Sequence, residues 1–145
     1  MSTEANSSRL ARITEWLLAT VGVVNCIVVP FLFAQNQSDL FPLPGLYFIE
    51  IALSGVLGLI SVVNEHHEDS RWQMIPWIVA GILLAFVLLG GFSIGFFLIP
   101  ATVAFLGIGI LGDRHSSRRM VYHAGFFLVA AAVQATIMLI AVMFS

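Results

Sequence analysis

Positions 72–112 contain no charged residue. Drawn out as one helix, that stretch would be about 60 Å long at 1.5 Å per residue. The hydrocarbon core of a bilayer is only about 30 Å thick. A chain with this feature must turn back on itself inside the stretch. The segment "GGFSIG" (90–95) places three glycines and a serine together and is the dense group of turn residues there. The expected result is two antiparallel crossings, over about 75–89 and 94–111, with Pro100 as a kink site because it removes a backbone donor.

The remainder of the chain extends the pattern. Hydrophobic residues make up 59% and charged residues 10%, with a mean hydropathy of +1.00. A soluble domain carries roughly 25% charged residues. Apolar runs of spanning length occupy about 13–33, 44–63 and 121–144. The first follows a polar N-terminal segment (1–12) and is too long for the h-region of a signal peptide, so it reads as an uncleaved span. Pro42 and Pro44 close the 35–45 loop, and Pro44 suits a first helical turn. The fold expected is therefore all-α: a polytopic integral membrane helical bundle of five transmembrane helices, forming a single unit over 13–144.

Arginine tests the count independently. The six cations are Arg9, Arg12, Arg71, Arg114, Arg118 and Arg119, and lysine is absent. Five spans with the N-terminus cytoplasmic and the C-terminus outside put every arginine on the cytoplasmic side, in agreement with the positive-inside rule. Four spans would place Arg114, Arg118 and Arg119 outside. Trp16, Trp72, Trp77 and Tyr122 fall near the expected cytoplasmic ends, and Tyr47 near an outer end, as in an interfacial aromatic belt. The localisation expected is the plasma (cytoplasmic) membrane, prokaryotic in character.

Chemistry-bearing residues are few. Glu50 interrupts the apolar run "GLYFIEIALSG" (45–55), where a carboxylate is costly. It lies about 9 Å below the outer boundary by helix rise, and Ser54, Gly58 and Ser61 follow it on one face. Asn25 and Gln134 lie at a similar depth, about 13 Å down. Glu50, Ser54, Asn25 and Gln134 are thus expected to form an intramembrane polar cluster, either bonding helices together or lining a path. Arg114, Arg118 and Arg119 form a cluster that sets topology or binds anionic lipid head groups. In "NEHHEDSR" (64–71), His66 and His67 are candidate metal ligands, although adjacent side chains diverge and no HExxH pattern is present.

Exclusions narrow the function further. Without lysine there is no Schiff-base chemistry. Cys26 is single, so no intramolecular disulfide forms. Phosphate-binding loops, dinucleotide fingerprints, GxSxG and CxxCH are absent. The net charge of −2 does not suit nucleic acid. No enzyme activity and no cofactor is expected. Small-residue faces at Glu50/Ser54/Gly58, Gly81/Ala85 and Ala124/Ala131/Ala135 allow close helix approach. The expectation is a small non-catalytic membrane protein acting by association, as an accessory, assembly or stabilising subunit or as a homo-oligomer. Its partners would be the bilayer, anionic lipids, and other subunits or itself. The alternatives are a small transporter or channel with a path lined by Glu50, Asn25 and Gln134, and a membrane metal protein using His66 and His67.

Overall fold

A computed structural model describes residues 2–35, 43–64, 70–91, 94–114 and 116–144. Among these residues there are five helices and no strand: α1 (Ser2–Ala34), α2 (Leu43–Asn64), α3 (Ser70–Leu89), α4 (Ile94–Asp113) and α5 (Ser117–Met143). All five are long and apolar enough to cross a membrane, the apolar part of α1 beginning at Arg9. The protein is a multipass helical membrane bundle.

Several helices are longer than their apolar cores. α1 begins within the polar N-terminal segment, and α3 and α5 each begin a few residues ahead of the hydrophobic run. A helix satisfies its own backbone groups, so it continues past the lipid boundary wherever propensity allows. Hydropathy locates the edge of the lipid rather than the last helical turn. α4 passes through Pro100 as one element, with that proline exposed on its surface.

The turn between α3 and α4 falls within "GGFSIG". Gly90 N–H donates to the Phe86 carbonyl and Gly95 N–H to the Gly90 carbonyl, both at 2.8 Å. A side chain at Gly95 would begin 2.6 Å from the Phe86 carbonyl oxygen. The return of the chain therefore depends on that position having no Cβ.

Packing divides the bundle into four helices and one. α1 packs on α2, α2 on α3, α3 on α4, and α4 back on α1. α5 lies outside this ring and leans mainly on α3. The ring closes around Phe105 of α4, which is fully buried. Gly22 of α1 and Gly58 of α2 both face its ring, and a Cβ at either would collide with it. α1 and α2 meet at Gly55, where an added Cβ would sit 2.6 Å from Cys26 Cβ. Gly81 plays the same part between α3 and α5. A methyl group there would strike the Phe127 carbonyl and lie 3.1 Å from Ala130 Cβ. Small residues at such crossings let backbones approach where lipid supplies no hydrophobic drive.

Contacts also sort the helix ends. At one end the start of α3, the end of α4 and the start of α5 come together through Trp77, Asp113 and His123. At the other, Phe33 meets Phe97 at 5.6 Å and Tyr47 meets Phe86 at 5.7 Å, both edge-on. These edge-to-face pairs join the end of α1 to the start of α4, and the start of α2 to the end of α3.

Candidate functional site

The most enclosed polar group in the bundle is Trp77–Asp113–His123. Asp113 and His123 are each 2% exposed and Trp77 4%. Three helices supply one residue each. On α4, Gly109 and Asp113 are four apart and share a face. Gly109 makes room for the indole, since a Cβ there would lie 2.7 Å from Trp77 Nε1. One turn later Asp113 receives it: Trp77 Nε1–H donates to Asp113 Oδ2 at 3.0 Å. His123 Nδ1 lies 2.6 Å from the same oxygen. An ionised Asp113 can only accept, and in that state Nδ1 carries the second proton.

Electrostatics explains why Asp113 needs both donors. It ends α4, where the helix dipole places partial negative charge and disfavours a carboxylate. Burial adds a desolvation cost that only paired donors offset. The second oxygen, Asp113 Oδ1, is buried and has no hydrogen-bond partner among the described residues. The Asp113 carbonyl accepts the Ser116 N–H at 2.9 Å and so closes the short link to α5. Among the described residues no third imidazole, carboxylate or thiol joins the pair to make a metal-binding group. Chemically the arrangement fastens helices: it ties α3, α4 and α5 at one end of the bundle.

Sequence reasoning assigned these residues other places. Trp77 reads as an interfacial belt residue, yet it is an internal donor. Trp16 and Tyr122, at 44% and 63% exposure, keep the outward-facing position expected of a belt. Asp113 reads as the first residue of a polar loop. The available signal was the spacing: an acid terminates one apolar run, and a histidine enters the next one ten residues on.

The second polar group contains Glu50. Gln134 of α5 lies within electrostatic reach of it, and Gln134 Nε2 is buried with no hydrogen-bond partner among the described residues. Gln134 is 4% exposed, whereas Glu50 is only partly buried. Tyr47, one turn back on α2, lies within electrostatic reach of Glu50, and its hydroxyl is buried without a partner among the described residues. Ser54 and Ser61 continue the α2 face and are buried, with Ser61 Oγ donating to the Gly58 carbonyl at 2.7 Å.

Asn25 is the fourth member of the expected cluster. It lies in a groove on α1 with Val24 and Val28, and its Oδ1 is buried without a hydrogen-bond partner. Cys26 faces α2 at Gly55, and Asn25, one residue earlier, is turned about 100° from it.

The three arginines of the 113–119 segment are likewise divided. Arg114 shares a groove with Arg9, Arg12 and Glu15 of α1. Arg119 Nη1 donates to Gln73 Oε1 of α3 at 3.4 Å, and Arg118 is exposed. His66 and His67 lie outside the described residues.

α5 thus buries two polar residues, His123 and Gln134, among its described side chains, with the Gly81 contact between them in sequence order. No protein-family model, curated protein or solved structure matches this chain.

Proposed function

We propose that this protein is a small non-catalytic membrane protein that works by association, as an accessory or stabilising subunit of a membrane complex or as a homo-oligomer. The observation supporting this is the exposure of α5. It is 27 residues long, yet only His123 and Gln134 are buried among its residues. Val121, Leu128, Val129, Val133 and Ile137 are all at least half exposed. The polar side chains that bind helices together are directed inward, leaving an apolar outer face to pack against another membrane helix.

The proposed setting is the plasma membrane of a prokaryote, with the N-terminus cytoplasmic and the C-terminus outside. Its support is the arginine distribution, which this orientation places entirely on the cytoplasmic side.

The test is crosslinking from a single cysteine at Val133, in a Cys26→Ala background, followed by native mass spectrometry of gently solubilised membranes. Association predicts a discrete adduct with a second copy or with another membrane protein. A strictly monomeric protein without partners would overturn the reading.

A further inference from the structure

We infer that the face of α1 continuing into Arg114 is a binding site for one anionic phospholipid, with the phosphodiester held by Arg9, Arg12 and Arg114 and an acyl chain lying along α1. This does not depend on the association reading, and its test is separate.

The polar seat comes first. Arg9 and Arg12, three apart on α1, line one groove together with Glu15 and with Arg114, which follows the last residue of α4. All three arginines are exposed, and Glu15 lies within electrostatic reach of both Arg12 and Arg114. Among the described residues that line this groove there are three guanidinium groups and one carboxylate, a concentration of donors to phosphate. Guanidinium forks bond two phosphate oxygens at once, and cations near a membrane surface attract anionic head groups.

The apolar continuation identifies the ligand. Arg9 and Arg12 also border a second groove, with Ile13, Trp16 and Leu17, that ends at Thr20. Thr20 in turn opens a third, with Val21, Val24, Asn25 and Val28. The three share residues and form one track, cationic at its head and mainly apolar along its length, with Thr20 and Asn25 as its polar members. From Arg12 to Val24 it runs about 18 Å by helix rise, the scale of one leaflet. Trp16, 44% exposed, stands beside the seat at the level where indoles meet head groups. A free phosphate would fill the seat and leave the track unused. A phospholipid matches both parts.

The test is native mass spectrometry of the full chain released from mixed vesicles of phosphatidylglycerol and phosphatidylcholine. The wild type is expected to retain phosphatidylglycerol selectively. Retention should fall about fivefold for each of Arg9→Gln, Arg12→Gln and Arg114→Gln, while Arg118→Gln with Arg119→Gln leaves it unchanged. Glu15→Gln removes the opposing charge and should raise retention, which keeps the inference testable if the arginine variants fail to insert. Millimolar inorganic phosphate should not displace the lipid. Equal retention of phosphatidylcholine, an equal loss in the Arg118/Arg119 variant, no gain in Glu15→Gln, or displacement by phosphate would each overturn the inference.

Discussion

Replacing His123 with leucine should be among the most damaging single substitutions in the bundle. His123 and Asp113 are both almost fully enclosed, and the 2.6 Å contact between them holds the start of α5 against the end of α4. His123→Leu leaves the Asp113 carboxylate buried with the Trp77 indole as its one remaining donor. Removing one partner of a buried pair costs about 3–5 kcal/mol, because the other charge stays desolvated. Replacing both ends avoids that cost. Asp113→Leu with His123→Leu leaves only the Trp77 N–H unsatisfied, about 1–3 kcal/mol. Adding Trp77→Phe removes the orphaned donor and should return stability toward the wild type. Denaturant unfolding in detergent, followed by helical circular dichroism, gives the ranking: wild type and triple variant highest, double next, His123→Leu lowest. A His123→Leu protein within about 0.5 kcal/mol of wild type would refute the reasoning. So would a triple variant no better than the single one.

Three further outcomes follow from the packing. Gly81→Leu should lift α5 away from α3, because its side chain meets the Phe127 carbonyl; the check is faster proteolysis of the 114–116 link with the other four helices intact. Gly58→Ala should destabilise the ring of four helices by about 1–3 kcal/mol through overpacking against Phe105, and Phe105→Leu in the same chain should recover part of the loss in the same unfolding assay. Gln134→Leu should cost about 0.6–2 kcal/mol, the range for a polar contact between membrane helices, with Glu50→Gln costing less because an amide can still face Gln134.

The number and order of helices were legible because two constraints act over long stretches. A charge-free run too long for one crossing must fold back, and Gly95 marks the return. The close crossings were legible in part: Gly81 of the Gly81/Ala85 face packs on α5 at Phe127, Ala130 and the Ala131 backbone, where the small-residue pattern offered Ala124/Ala131/Ala135. Side-chain partners were harder to read. Hydropathy reports depth and not azimuth, so it places Asn25 and Glu50 at one level without saying which way either turns. Trp77, Asp113 and His123 lie at the ends of apolar runs, where an interfacial residue and an enclosed one leave the same trace in sequence. Whether they are enclosed depends on three helix ends converging, which local pattern does not encode. The split of Arg114 from Arg119 has the same origin, since one turns toward α1 and the other toward α3.

The account rests on an odd number of crossings with the arginine-bearing end in the cytoplasm. Single-cysteine labelling with a membrane-impermeant thiol reagent tests this directly. Cys26→Ala supplies the background, since Cys26 is fully buried and alanine keeps its Cβ against Gly55. Cysteines are then placed one at a time at Ser117, in the arginine-rich segment, and at Phe144, which is 88% exposed. The account predicts labelling at 144 in intact cells and labelling at 117 only after the membrane is opened. Labelling of both positions from the same side, or of 117 alone in intact cells, would contradict it.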